Sequence, residues 1–149
     1  MKKSIVLLAI QFTWLLLPAQ KKVTAETRSS LMAIDIPVDA KADNRLLSKV
    51  GVGIILTSKI QPLQLNLMAS EYFFWRGNGI KEARSAGIID SLIKSLTANN
   101  WVLAYDDKDD KVMWLLKDNK PLILMYVTAK NQIDLYIGEL NKAPPVNFQ

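Results

Sequence analysis

The sequence predicts an α+β domain. It is an antiparallel sheet of about five or six strands with one long amphipathic helix packed on one face, in the order β-β-(β)-α-β-β-β-β. Three observations predict it. From Ile80 to about Asn99, apolar residues recur at three- and four-residue steps. After that stretch come four short apolar segments separated by brief polar turns. Before it, Val50 to Thr57 and Leu63 to Ala69 both alternate apolar and small or polar residues.

The chain opens with MKKSIVLLAIQFTWLLLPAQ. Lys2 and Lys3 form a positive n-region, Ile5 to Leu17 an apolar run, and Pro18-Ala19 a break with a small residue. This is the pattern of a signal peptide over residues 1–19. The expected cut follows Ala19, with Ala25 as the alternative. The apolar run is shorter than the roughly 20 residues a spanning helix needs, so no membrane span is expected once the signal is removed. Residues 20–44 read as a leader, partly extended or loose. Within them, Leu31 to Val38 suggests a short edge segment, because Pro37 cannot donate to a ladder.

A single domain is expected over residues 45–140. Val50, Val52, Ile54 and Leu56 share one face of an expected strand, with Gly51 and Gly53 on the other; two glycines argue against a helix. Leu63, Leu65 and Leu67 define a second strand, and the two together suggest a hairpin. The second strand is expected to continue, through a bulge near Ser70, into Tyr72-Phe73-Phe74-Trp75. Gly77-Asn78-Gly79 then turns the chain, and the helical period runs to Asn99-Asn100.

The remaining expected strands are Trp101–Tyr105, Val112–Lys117, Leu122–Thr128 and Ile133–Gly138, and residues 141–149 form a loose tail. Val112 to Leu116 and Leu122 to Val127 are apolar on both faces. Such strands are covered on both sides. One cover is the helix; the other is the N-terminal hairpin, a second subunit or a ligand.

Composition narrows the chemistry. The chain has no histidine and no cysteine. Ser-His-Asp and Cys-His systems are therefore ruled out, and zinc sites nearly so. No phosphate-binding glycine loop occurs. The loop Asp106-Asp107-Lys108-Asp109-Asp110 has neither the glycine nor the distal glutamate of an EF-hand. It reads as a solvated hairpin tip. Glu71, Glu82, Asp90 and Asp134 are scattered, and their spacing selects no catalytic pair. No catalytic residue, metal or cofactor is assigned. Of the formal charge of +5, Lys2 and Lys3 carry two, so nucleic acid is not an expected partner.

The candidate binding residues are Tyr72, Phe73, Trp75 and Arg76, a run of the residue types favoured at binding hot spots. In a strand, Tyr72 and Phe74 face one way and Phe73 and Trp75 the other. At most one pair is left to bind, and the alternative is that the helix and the leader cover both faces. Absent disulfides and absent Asn-X-Ser/Thr acceptors fit a bacterial periplasmic or secreted protein. The expected function is a small exported, non-catalytic domain binding a partner protein or an envelope component, with self-association compatible. A carrier of a small apolar ligand between helix and sheet is the alternative, and a carboxylate hydrolase a weaker one.

Overall fold

The computed structural model describes residues 24–25, 28–37, 39–77 and 82–145. The expected signal peptide with its cut after Ala19, Asn78-Gly79, the helix start at Ile80 and the last four tail residues lie outside the described residues. The fold is α+β. The described elements are β1 (Thr24–Ala25), β2 (Lys41–Ala42), α1 (Leu46–Ile60), a 3-10 turn (Gln61–Leu63), β3 (Leu67–Arg76), α2 (Glu82–Ala98), β4 (Val102–Asp107), β5 (Val112–Lys117), β6 (Lys120–Ala129) and β7 (Gln132–Leu140). All strand pairs are antiparallel, in the spatial order β1-β2-β3-β7-β6-β5-β4.

The four strands after α2 fall where the sequence puts them, because their turns are short and specific. Asp118 and Asn119 both adopt positive φ, 48° and 63°. That pair of left-handed residues matches the right-handed twist of the flanking strands. The helix α2 also ends as expected. Asn100 is left-handed at φ 62°, and the N–H of Trp101 returns to the carbonyl of Leu96 at 3.1 Å, closing the last turn.

The first half differs. Val50 to Thr57 is not a strand but the middle of α1. Its alternation hides a second period: Val52, Leu56 and Ile60 recur every four residues, and these three are the buried residues of the helix. Two interior glycines cost roughly 1 kcal/mol each relative to alanine, and burial of three large aliphatic side chains outweighs that. Leu63 to Ala69 is not one strand either. A 3-10 turn led by Pro62 and the left-handed Gln64 (φ 55°) occupy its start, and β3 begins only at Leu67. The bulge lies between Leu67 and Ala69, and the strand then runs unbroken through Trp75. Leu31 to Val38 forms no strand among its described residues; Arg28 and Asp35 make an isolated bridge around a turn.

The sheet is therefore clad on both faces by separate helices. On one face, Phe73, Trp75, Met113, Leu115, Leu122, Leu124, Ile133 and Leu135 meet Ile88, Leu92 and Leu96 of α2, with Met32, Ile34 and Ile36 of the leader alongside. On the other, Trp114, Ile123, Met125 and Leu140 meet Val52, Leu56 and Ile60 of α1. Trp101 closes the first core, its indole N–H donating to the Met32 carbonyl at 2.9 Å. The leader is pinned by Glu71, whose carboxylate accepts the Ser29 and Ser30 hydroxyls and the Ser30 N–H (2.9 Å).

Gly138 sets how closely α1 approaches the sheet. A Cβ there would lie 2.5 Å from Leu67 Cδ1 and 3.0 Å from both Leu56 Cδ1 and Ile123 Cγ2. At Gly51 and Gly53 a Cβ would meet nothing within 4 Å. Gly138→Ala is expected to lose about 1–3 kcal/mol, as overpacking does. Gly51→Ala is expected to gain about 0.5–1 kcal/mol, because alanine is favoured over glycine in a helix. Urea unfolding of the two variants checks the opposite signs.

Candidate functional site

The alternation of β3 decides the fate of its aromatic run. Phe73 and Trp75 point to the α2 side and are 3% and 1% exposed. They are core residues and offer no surface to a partner. Tyr72 and Phe74 point to the α1 side, where Tyr72 is half-buried and Phe74, under the Arg76 guanidinium, is only 7% exposed. In register, Tyr72 lies opposite Tyr136, Phe74 opposite Asp134, and Arg76 opposite Gln132.

These six side chains form one cluster. The Tyr72 and Tyr136 rings stack with centroids 5.3 Å apart and planes 10° apart. The Phe74 ring lies 5.6 Å from Tyr72, and the Arg76 guanidinium carbon sits 4.6 Å above Phe74. Tyr72 donates its hydroxyl to Asp134 Oδ1 at 2.6 Å, and Gln132 donates an amide N–H to Oδ2 at 2.6 Å. Burial, then the Asp134 carboxylate, pushes the acidity of the Tyr72 phenol well above the ordinary tyrosine range. Burial and Asp134 push Tyr136 in the same direction. Both phenols are protonated at neutral pH, and both oxygens of Asp134 are engaged. The cluster is a satisfied network of donors and acceptors rather than a set of free acids and bases.

The other carboxylates do not converge with it. Glu71 holds the leader on the opposite face. Asp90 is exposed on α2. It lines an open groove of about 740 Å³ with Ser85, Ile89, Lys111, Tyr126 and Thr128. The Glu82 side chain lies outside the described residues. In the Asp106–Asp110 turn, Asp107 Oδ1 accepts the N–H groups of Asp109 and Asp110, and Asp110 pairs with Lys59 at 2.7 Å.

Beside the aromatic cluster, α1 shows a feature that the strand reading concealed. Leu46, Leu47, Val50 and Ile54 are 73%, 83%, 52% and 66% exposed. At helical spacing they fall on one arc, away from the buried Val52, Leu56 and Ile60. Thr57 and Ser58 complete that arc towards the C-terminus, and both are exposed. Scattered exposed apolar residues are ordinary, but these four lie on adjoining turns of one helix and form a contiguous apolar patch. The signal was present in the sequence as the three- and four-residue steps from Leu46 to Ile54.

The N-terminus of α1 is fixed by Asp43. Its carboxylate accepts the Arg45 side chain (Nε to Oδ1 2.9 Å), the Arg45 N–H (3.1 Å) and the Ser48 hydroxyl (2.8 Å). A carboxylate just ahead of a helix also complements the helix dipole. These hydrogen bonds, the Arg45 side chain foremost, hold the Asp43 pKa at about 2, against an ordinary 3.8.

No protein family, curated protein or solved structure matches this chain.

A folded-state pKa below the unfolded value stabilises the fold above the unfolded pKa, and the contribution is lost as pH falls through the folded one. The Asp43 contribution is therefore fully present above about pH 4 and disappears towards pH 2. Asp43→Asn is expected to cost about 1–2 kcal/mol at neutral pH and to flatten the loss of stability between pH 4 and 2. Urea unfolding midpoints across that range, for both proteins, check this.

Proposed function

We propose that the chain is a small exported, non-catalytic domain that docks onto a partner protein or an envelope component through the outer face of α1. The observation that carries this reading is the exposure of Leu46, Leu47, Val50 and Ile54 on a helix whose opposite side is already packed. A helix that needs only one apolar stripe to hold its place has a second one facing outward. The Tyr72–Tyr136 cluster, with Arg76 at its rim, borders the N-terminal end of that helix and extends the same side of the molecule. Of the four binding candidates, Tyr72 and Arg76 remain in this reading, while Phe73 and Trp75 support them from the core.

Export to a bacterial periplasm, or beyond the cell, rests on the n-region, apolar run and small-residue break of residues 1–19 and on the absence of cysteine. Among the described residues no helix is long and apolar enough to cross a membrane. Docking is thus read as contact with a surface. The carrier reading finds less support. Between α2 and the sheet, Leu92, Leu122, Leu124, Ile133 and Leu135 are almost wholly buried against one another. The room that remains on that side is an open groove between the N-terminal half of α2 and β6, beside Asp90 and Lys111, and not an enclosed apolar cavity.

Leu47→Ser combined with Ile54→Ser tests the reading. Both sites are exposed, so the melting temperature should stay within a few degrees of the parent. When the chain is expressed with its own N-terminus and cells are fractionated, the parent is expected with the envelope and the double variant in the soluble fraction. A parent chain recovered wholly in the soluble fraction would contradict the proposal.

A further inference from the structure

We infer that the outer face of α1 seats the domain on an anionic phospholipid surface, with the N-terminal end of the helix leading. This rests on the reading of that face as a docking surface and names what it docks on. Two independent features of the helix carry it.

The first is the shape and chemistry of the apolar arc. Leu46, Leu47, Val50 and Ile54 project into solvent from the outer side of the helix. The arc holds no aromatic or arginine anchor, the residue types that dominate protein–protein hot spots. Aliphatic side chains on a convex ridge suit insertion into the boundary between headgroups and acyl chains.

The second is the distribution of charge. Lys41 pairs in register with Phe74, so it shares the α1 side of the sheet with Arg76. Lys41, Arg45, Lys49 and Arg76 are all exposed. The carboxylates on the same side, Asp43 and Asp134, are only 4% and 7% exposed and are bound by Arg45, Ser48, Tyr72 and Gln132. Arg45 is paired with Asp43, so the free charge around the N-terminal end of α1 comes from Lys41, Lys49 and Arg76 and is basic. The helix itself contains no Asp or Glu. At its other end Lys59 is paired with Asp110 of the acidic turn, and the outer arc becomes polar at Thr57 and Ser58. Apolarity and positive charge decline together along the helix, as they would if one end entered an anionic interface. A second copy docking face to face would oppose these cations with their own counterparts, which disfavours self-association through this face.

The absence of cysteine makes the test specific, since one introduced thiol reports only on its own position. An environment-sensitive fluorophore is attached at Leu47→Cys or, as a control, at Ala98→Cys on the exposed end of α2. Each full-length protein is mixed with vesicles of phosphatidylglycerol and phosphatidylethanolamine, or of phosphatidylcholine alone. The probe at position 47 is expected to shift to the blue with the anionic vesicles only, and the probe at 98 to stay unchanged. Adding Lys49→Glu to Leu47→Cys should weaken vesicle affinity by at least about fivefold. Equal shifts at both positions, or with both vesicle types, would overturn the inference by placing the contact elsewhere in the chain. An unresponsive probe at 47, with the Leu47→Ser/Ile54→Ser variant still released from the envelope, would also overturn it. In that case the docking face stands and its partner is a protein.

Discussion

The structure depends on two strands that are apolar on both faces. Leu122 and Leu124 of β6 point to one side and Ile123 and Met125 to the other; Met113 and Leu115 of β5 are likewise opposed to Val112 and Trp114. Water cannot be left on either face without exposing a large apolar patch. The sheet must therefore be covered twice, and among the described residues α1, α2 and the leader do it. Placing α2 and the leader on one side commits α1 to the other. Gly138 is part of the same solution, since the absence of a Cβ lets Leu56 and Leu67 reach the floor of the second core.

Covering the sheet uses one stripe of α1 and leaves another outside. That division links packing to the proposed docking role. A short helix held by Val52, Leu56 and Ile60, and started by Asp43 with Arg45 and Ser48, is a rigid mount. Leu46, Leu47, Val50 and Ile54 are displayed on it without loss of core contacts. The neighbouring polar groups reinforce the asymmetry. Acids on this side are turned inward and satisfied, while lysines and arginines stay in solvent. The aromatic run of β3 serves the same architecture: two of its rings fill the α2-side core, and on the α1 side Phe74 is buried while Tyr72 stacks half-buried on Tyr136.

Most of the second half of the fold was legible. Asn99-Asn100, Asp118-Asn119 and the alternation of Ile133, Leu135 and Ile137 each specify local geometry that tertiary contacts then reinforce. The need for two covers was legible as well, from the doubly apolar strands. The identity of the second cover was not. In VGVGIILT the glycines at alternate positions imitate a strand, and only the contact of Val52, Leu56 and Ile60 with a distant sheet reveals the helix. Glycine propensity is a local quantity, and here a long-range interaction overrode it. The candidate site followed the same line. That only one aromatic pair could remain free was readable from strand alternation. That Tyr72 alone stays partly exposed, with Phe74 buried under Arg76, depends on the side that α2 takes and on local packing, both tertiary facts. The outward stripe of α1 stayed hidden for as long as its segment was read as a strand.

The central claim is that residues 46–60 form a helix docked on the second face of the sheet. Hydrogen–deuterium exchange resolved along this segment tests it most directly. The account predicts slow exchange for the amides from Val52 to Ile60, comparable with those of β6. It also predicts a marked acceleration of α1 in Leu56→Ala, a truncation expected to cost about 2–5 kcal/mol. Exchange of the whole segment at unstructured rates in the parent protein, unaffected by Leu56→Ala, would contradict it.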